Sequence, residues 1–161
     1  MQRTRKARTS TIATAAGASA LLAGLALAHR AEQRAADEAA IEGAISDYIG
    51  SFYESKPERF VRGVHPNLKK RDVRAMPDGT QFLNEMTYSQ LLAMAPSANR
   101  GQWTSDSRQD IEIYDIQQGI ASAKLTVDAW IDYFHLAEIN GEWKIVNVLW
   151  ATTPPPAEPE G

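Results

Sequence analysis

Three histidines are the side chains of this sequence best suited to proton transfer near neutral pH. They are His29, His65 and His135, and their separations are too large for a short metal-ligand spacing such as H-x-x-x-H. A histidine base needs a carboxylate that fixes the tautomer of its imidazole. The weak catalytic candidates are thus His65 and His135 with an aspartate, for which Asp47, Asp128 and Asp132 are open. We predict no metal site and no cofactor.

The spacing between Asp132 and His135 argues against the simplest of these pairs. Residues 130–139 are predicted to form a strand, in which successive side chains point to opposite faces. Tyr133 and His135 then share one face and Asp132 lies on the other, unless a bulge intervenes. His65, in a His-Pro pair, is interpreted as structural. The sequence leaves an enzymatic role uncertain and favours a non-enzymatic one.

Aromatic side chains offer a second kind of chemistry, which is stacking against a flat or apolar ligand. Ordinary core packing accounts for most aromatic residues in a small domain. If the fold encloses a pocket, some of them line it, whereas aromatics on an outer sheet face would serve a dimer interface. The residues that we assign to ligand binding are Tyr48, Phe52, His65, Trp130, Tyr133 and His135.

A basic run is the other concentration of chemically active groups. It consists of Lys69, Lys70, Arg71 and Arg74. Such runs are usually solvated surface, and the alternative here is a contact to a carboxylate or phosphate at the mouth of a pocket.

The elements that must position these residues begin with two helices. Apolar side chains recur at helical spacing from Ile41 to Phe52, which predicts a helix over residues 31–54. A second, short helix is predicted over residues 57–63, because it opens with a proline. Ser55 is the expected N-cap of this second helix.

The next segment mixes strand and helix signals. Residues 64–74 alternate only loosely, and Pro66 argues against a clean interior strand there. Residues 80–85 are expected to return as a short strand. Thr87 then caps a third helix over residues 88–95, which is followed by a loop that starts at the next proline.

The second half of the chain changes to the two-residue period of strands. Asn140-Gly141 is a strong signal for a tight hairpin. Strands are predicted over residues 110–117, 120–129, 130–139 and 142–150, with a bulge or bend near 129–132. Helices followed by such strands indicate an α+β domain over residues 31–152, in which a bent antiparallel sheet carries helices on its concave face. The Pro- and Glu-rich residues 153–161 are predicted to be disordered.

Residues 1–28 have the order of an export signal. Basic residues at positions 3, 5, 6 and 8 precede an uncharged stretch that ends in Ala26-Leu27-Ala28. A basic start, an apolar middle and a small-x-small end predict a secretory signal peptide. The alternative is a retained anchor, for which about 20 strongly apolar residues are needed. Either interpretation places the domain in the periplasm or outside the cell.

Composition excludes several classes of function. The chain contains no cysteine, so it has no disulfide, thiolate metal site or cysteine nucleophile. Four of its 17 basic residues lie in residues 1–28, which leaves 13 basic and 20 acidic residues and a net charge of −7. Because an acidic domain is repelled by nucleic acid and by anionic lipid, we predict neither as a partner.

Three stretches of the chain together resemble one known family. They are VHPNLKKR at 64–71, DYFHL at 132–136 and GEWKIVNVLW at 141–150. The third resembles many members of the nuclear transport factor 2-like superfamily, and the first two narrow the resemblance to its lumazine-binding group of bacterial proteins. The resemblance covers about residues 38–151. It implies a cone-shaped α+β domain, often a homodimer through its sheet, without fixing one function.

Three functions are open at this point. The first is an exported, non-enzymatic module that binds a small hydrophobic or aromatic molecule in an aromatic-lined pocket. The second is a dehydratase- or isomerase-type enzyme that uses a His–Asp pair, and the third is a dimeric interaction module without a ligand. A buried histidine beside an aspartate or tyrosine would favour the second, and a pocket filled by the chain's own side chains would favour the third.

Overall fold

The computed structural model describes residues 12–99, 101–104 and 106–153, with the side chains of residues 12–22 outside that description. The chain divides into two units, Met1–Ala36 and Asp37–Gly161. The helices are α1 (Ile12–Tyr53), α2 (Pro57–Gly63) and α3 (Tyr88–Ala98). The strands are β1 (Val64–Ala75), β2 (Gln81–Thr87), β3 (Asp110–Gln117), β4 (Ile120–Thr126), β5 (Trp130–Ile139) and β6 (Glu142–Thr152). The predicted tail lies outside the described residues from position 154 onward, and so do positions 1–11 of the predicted signal.

Helix α1 carries the apolar stripe that the sequence predicts. Ile41, Ile45, Tyr48, Ile49 and Phe52 are all buried. The described side chains of residues 23–36 are exposed, and the buried stripe lies in the part of α1 that belongs to the second unit. The helix begins at Ile12, well before the predicted position 31. Among the described residues, no helix is both long enough and apolar enough to cross a bilayer.

The sequence predicts a cap for each of the two shorter helices; one prediction is wrong and the other is confirmed. Ser55 is not the N-cap of α2, because it adopts φ 53° and the cap position falls to Lys56, which makes no side-chain cap. Thr87 does cap α3, in a capping box with Gln90. Helix α3 also runs two residues past Pro96, where a loop was predicted, since a proline in the last turn removes few helical hydrogen bonds.

The six strands form one sheet in the order β2-β1-β6-β5-β4-β3. All neighbours are antiparallel except β1 and β6, which run parallel. The predicted α+β class is confirmed, but the sheet is mixed where a purely antiparallel one was expected. Pro66 does lie in an interior strand, but as predicted that strand is not a clean one, because the β1–β6 register shifts between Val64 and Lys69. The missing N–H of the proline falls in that irregularity.

Tight turns connect the last strands as their sequences predict. Asn140 and Gly141 adopt φ 55° and φ 81° between β5 and β6, the left-handed pair that a two-residue hairpin requires. Between β4 and β5, the N–H of Val127 donates to the Trp130 carbonyl at 3.0 Å. This turn is the bend that the sequence indicates near residue 129.

One face of the sheet and the end of α1 enclose the core. The ring of Tyr48 lies edge-on to Phe134, with centroids 5.4 Å apart, and Tyr53 stacks on Trp103 at 5.3 Å. Fully buried aliphatic side chains come from both layers, among them Ile45, Leu68, Leu125, Leu136 and Ile145. The space between helix and sheet is thus filled largely by the chain's own side chains, with the polar exception described below.

Candidate functional site

A buried ion pair lies in the middle of this core. Lys70 on β1 donates from Nζ to Oδ1 of Asp132 on β5 at 2.6 Å. Asp132 has no exposed surface and Lys70 is 6% exposed. Burying two charges is costly unless they are paired and hydrogen-bonded, so the surroundings of the pair decide whether it is tolerated.

Those surroundings give each charged atom further partners. Lys70 Nζ also donates to the Tyr48 hydroxyl at 2.7 Å, and its ammonium lies 4.9 Å from the ring centre of Trp150. The indole N–H of Trp130 donates to Asp132 Oδ2 at 3.0 Å. We refer to Tyr48, Lys70, Trp130, Asp132 and Trp150 as the core network. The two charges therefore neutralise each other, and each has a second hydrogen-bond partner within the network.

Burial shifts the pKa values of the hydrogen-bonded pair Lys70 and Tyr48 in opposite directions. It lowers the pKa of Lys70, although the Asp132 carboxylate acts in the other direction. It raises the pKa of Tyr48 well above its usual value, and the charge of Asp132 adds to that rise. Tyr48 is therefore a neutral hydroxyl at physiological pH.

An opening in the sheet lies beside the network. Strands β1 and β6 pair only as far as Arg71 and Leu149. Beyond that pair, β1 stays with β2 to Ala75, and β6 stays with β5 to Thr152. The two halves of the sheet separate there, and among the described residues no strand pairs with the backbone edges that face the gap.

A cavity of about 330 Å³ occupies this separation. We call it the β1–β6 cleft, and its walls are Asp72, Val73, Tyr133, Leu149, Trp150, Ala151 and Thr152. It combines two aromatic rings, apolar side chains and one carboxylate. Its volume is at the lower end of the range for small-molecule sites, which starts at about 300 Å³.

Asp72 is the charged residue of the cleft wall, and it is mostly buried. Its Oδ1 accepts from Asn84 Nδ2 at 2.7 Å, and its Oδ2 accepts from Arg74 Nε at 2.8 Å. Burial raises the pKa of Asp72, but the hydrogen bonds from Asn84 and Arg74 and the Arg74 charge outweigh it and hold the pKa below its usual value. Asp72 is thus an ionised acceptor at neutral pH.

Trp150 joins the network to the cleft. Lys70 lies over its ring, and the same side chain forms part of the cleft wall. Its buried Nε1 makes no hydrogen bond among the described residues. Trp150 is an aromatic surface that an ammonium group fixes on one side.

A second cavity of about 290 Å³ lies around His135 on the sheet face opposite the core. Asn147 Nδ2 lies 3.3 Å from His135 Nδ1, and Asn147 Oδ1 accepts from Arg71 Nη1 at 3.0 Å. Arginine can only donate, so Asn147 must turn its NH₂ towards the histidine. In that arrangement His135 accepts at Nδ1.

The structure places the predicted catalytic residues apart. Asp132 is buried in the network, whereas His135 is exposed on the other face of β5, as the strand period predicts. His65 Nδ1 accepts from the Asn67 backbone N–H at 3.2 Å. The hydrogen bonds of His65 and His135 thus go to Asn67 and Asn147 and not to an aspartate. Within residues 12–99, 101–104 and 106–153, no group of three His, Asp or Glu side chains is suited to a metal.

The predicted ligand-binding residues fall into several environments. Tyr48 and Phe52 are core residues, Trp130 holds Asp132, and Tyr133 is 49% exposed in the cleft wall. No bound molecule tests these assignments, which stay predictions.

The predicted basic cluster does not exist as a unit, because β1 alternates. Lys70 points to the core, while Lys69 and Arg71 point to the other face and both bind Glu85. Arg74 binds Asp72. Sequence reasoning missed Lys70, Asp72 and Trp150 as site residues, although a strict two-residue reading of β1 would have put the first two on one face.

The sequence of most of this chain matches one known protein family. Residues 36–151 match the model of a family described as "Putative lumazine-binding". A search of curated proteins gave no match.

Solved structures of the same fold come from several bacteria. A nuclear transport factor 2-like protein of unknown function from Shewanella baltica OS155 superposes with a TM-score of 0.62 at 18% identity, over 75% of this chain and 97% of that one. A similar protein from Silicibacter pomeroyi DSS-3 gives a TM-score of 0.56 at 14% identity, over 74% and 98%. An uncharacterised protein with a cystatin-like fold from Caulobacter vibrioides gives 0.51 at 20% identity, over 74% and 92%. At these identities the likeness establishes the fold alone.

Proposed function

We propose that this chain, which belongs to the lumazine-binding family and has a nuclear transport factor 2-like fold, is a non-enzymatic binding domain. In this proposal it binds a small, flat heteroaromatic molecule in the β1–β6 cleft. One observation carries the proposal: the cleft places the rings of Trp150 and Tyr133 beside the ionised carboxylate of Asp72. Aromatic walls with a few directed polar groups are the usual composition of a small-molecule site.

The two rings supply the affinity in this proposal. A flat ligand that enters the cleft covers the exposed half of Tyr133 and the cleft side of Trp150. Burial of apolar area stabilises such a complex by roughly 25 cal/mol per Å². Since Lys70 fixes the indole of Trp150 from behind, the ring loses little conformational freedom when the ligand binds.

The core network argues for binding in preference to catalysis. Lys70 and Asp132 are each other's partner, and neither forms part of the wall of the cleft. His135 and His65 are without the aspartate partner that a histidine base needs, within the described part of the chain. The dehydratase- or isomerase-type alternative therefore gains no support from these groups.

A matched pair of tyrosines tests the proposal. Tyr133 is 49% exposed in the cleft, and Tyr114 is 51% exposed on β3, away from the cleft. We expect calorimetry with lumazine, riboflavin and quinoxaline to detect binding of at least one of them. Tyr133→Ala should weaken that binding about tenfold, which is the loss of one stacking contact of about 1.4 kcal/mol.

The control and the contradicting results follow from the same pair. Tyr114→Ala should bind as the wild type does. If none of the three compounds binds, or if both variants weaken binding equally, the cleft is not the site.

We also propose that the domain is exported, on the evidence of the basic and apolar order of residues 1–28. This segment lies within the first of the two units, Met1–Ala36. N-terminal sequencing of the protein from its native cells should give a start after Ala28. A start at Met1 would contradict cleavage.

A second copy of the chain is the proposed protein partner. The sheet face opposite the core exposes several large apolar side chains, namely Val73, Ile120, Tyr133 and Leu149. Three of these also belong to the cleft wall, so a dimer on this face would adjoin the ligand. Sedimentation analysis should show a dimer that Leu149→Glu converts to a monomer, and a wild-type monomer at high concentration would contradict it.

A further inference from the structure

We infer that the cavity around His135, on the sheet face opposite the core, is a second small-molecule site for an uncharged polyhydroxylated molecule such as a sugar. We call it the His135 cavity, and its volume is about 290 Å³. It lies on strands β3 to β6 and shares no wall residue with the β1–β6 cleft, so it is independent of the binding role proposed above.

Two irregularities in strand pairing border the His135 cavity. The β3–β4 register shifts just before Asp115, and the β5–β6 register shifts just after His135. Each shift leaves one unmatched residue in a strand, namely Tyr114 in β3 and Val146 in β6. Such bulges bend a strand and re-aim the side chains around them, and they are frequent next to active sites. The cavity is therefore a feature of the backbone, because regular pairing would leave this face without the two bends.

Polar side chains from three adjacent strands line one side of the cavity. Asp115 of β3 pairs with Ser122 of β4, and Ser122 pairs with His135 of β5. Since neighbouring strands lie about 4.8 Å apart, these three side chains form a row that spans about 10 Å. A carboxylate, a hydroxyl and an imidazole can thus contact one molecule that lies along the row.

Each group of this row has a position that is open to a ligand. Asp115 accepts with Oδ1 from the backbone N–H of the next residue at 2.9 Å and from the Gln117 amide at 3.5 Å. His135 uses Nδ1, which lies 3.3 Å from Asn147 Nδ2. Among the described residues, Oδ2 of Asp115, Nε2 of His135 and the hydroxyl of Ser122 have no hydrogen-bond partner.

Hydroxyl groups suit all three open positions. An ionised carboxylate only accepts, a serine hydroxyl donates and accepts, and an imidazole nitrogen donates or accepts according to its tautomer. A ligand hydroxyl can take either role, so several hydroxyls on one molecule can bond to the whole row. An ammonium group only donates and a ligand carboxylate only accepts, so neither suits every position.

The charges around the row favour an uncharged molecule. Lys69, which continues the row on β1, is paired with Glu85 at 2.7 Å. Lys124, in the next row of this face, is paired with Glu112 at 3.0 Å. The partners of Asp115 are by contrast the neutral N–H groups of the backbone and of an amide. An anionic ligand would therefore meet the charge of Asp115 without gaining a free cation.

The other side of the cavity is apolar. It is formed by Ile120, Ala137 and Val146. The C–H face of a ring can pack there while the hydroxyl groups of the ring bond to the row. Because small-molecule sites start at about 300 Å³, the volume of the cavity suits a single ring better than a chain of rings.

Titrations of the intact protein with glucose, galactose and myo-inositol test the site. The imidazole signals of His135 in NMR spectra, assigned with His135→Gln, should shift saturably with at least one of these neutral compounds. Glucuronate and galacturonate, which carry a carboxylate in place of a CH₂OH group, should bind at least about tenfold more weakly than that compound. No saturable shift with any neutral compound, an equally tight uronate, or shifts confined to Trp150 in the β1–β6 cleft would overturn the proposal.

Variants of the row assign the binding to it. Asp115→Asn and Ser122→Ala should each weaken binding about tenfold, because each removes a group that bonds to the ligand. The matched changes Glu112→Gln and Thr126→Ala, on the same two strands outside the cavity, should keep the wild-type affinity. All four side chains are at least partly exposed, so the variants should stay folded. Wild-type affinity in both variants of the row would overturn its role.

The sheet face proposed for the dimer adjoins the same cavity, because Ile120 belongs to both. The titration is therefore repeated with Leu149→Glu, the variant designed to be monomeric. Saturable binding to either form supports the site, and absence of binding to both contradicts it.

Discussion

The core network and the β1–β6 cleft share Trp150 and have opposite properties. In the network, the buried charges of Lys70 and Asp132 have partners on every side. In the cleft, two strands separate, and the carboxylate of Asp72 lies in a wall with the aromatic residues Tyr133 and Trp150. Closed polar networks contribute to stability and specificity of the fold, whereas open polar groups beside aromatic rings suit ligands. The comparison favours a structural role for the buried charges of the network and is consistent with the proposal that the ligand binds in the neighbouring cleft.

The largest effect is expected when the core network loses its negative charge, which tests whether the network is structural. Asp132→Asn should destabilise the domain by about 3–5 kcal/mol, since it leaves Lys70 as an uncompensated buried charge. Urea unfolding measures the loss. The matched change Asp115→Asn, at an exposed carboxylate, should stay within about 0.5 kcal/mol of the wild type.

A double variant shows whether that loss comes from the orphaned charge. Lys70→Met together with Asp132→Asn should be more stable than Asp132→Asn alone, because the second substitution removes the unpaired ammonium. The affinity of a cleft ligand should be similar in the single and the double variant, although their stabilities differ. A single variant as stable as the wild type would remove the network from the account of the fold.

A smaller effect is expected where the network loses only a hydroxyl. Tyr48→Phe should cost about 1–3 kcal/mol, because one Lys70 donor then has no acceptor in the core. Tyr114→Phe, at an exposed position, provides the control and should be neutral. If Tyr48→Phe changed the affinity of a cleft ligand tenfold while leaving stability unchanged, the separation of the two regions would be wrong.

The smallest effect appears at alkaline pH, at the margin of the network. Burial, together with the charges of Asp128 and Asp132, raises the pKa of Tyr53 from 10.0 to about 12. The folded state therefore keeps a proton that the unfolded state loses between these values, and stability should fall as pH rises through that window. Subtracting the ultraviolet titration of Tyr53→Phe from that of the wild type should give a transition near pH 12. A transition near pH 10 would contradict the burial of the hydroxyl.

Local signals in the sequence predicted the elements well. The capping box of Thr87 and the Asn140-Gly141 hairpin depend on a few adjacent residues, and both are present. The Ser55 cap failed because Ser55 itself adopts a left-handed conformation, which no neighbouring residue indicated.

The site depends on contacts that the sequence separates widely. Lys70 meets Asp132 across 62 positions, through strands that are not neighbours in the sheet. The cleft requires the parallel pairing of β1 with β6, which the loose alternation around Pro66 concealed. The sequence predicted a ligand contact for Tyr133, which lies in the cleft wall, but it could not predict Asp72 or the separation of the strands.

The position of the ligand is tested most directly by the indole N–H signals of the four tryptophans. In ¹H–¹⁵N spectra of the intact protein, assigned with single Trp→Phe variants, titration with 6,7-dimethyllumazine should shift the Trp150 signal most. Trp103, Trp130 and Trp143 should shift little, because none of them is part of the cleft wall. Saturable shifts centred on Trp103 or Trp130, with Trp150 unmoved, would place the ligand elsewhere and contradict the account.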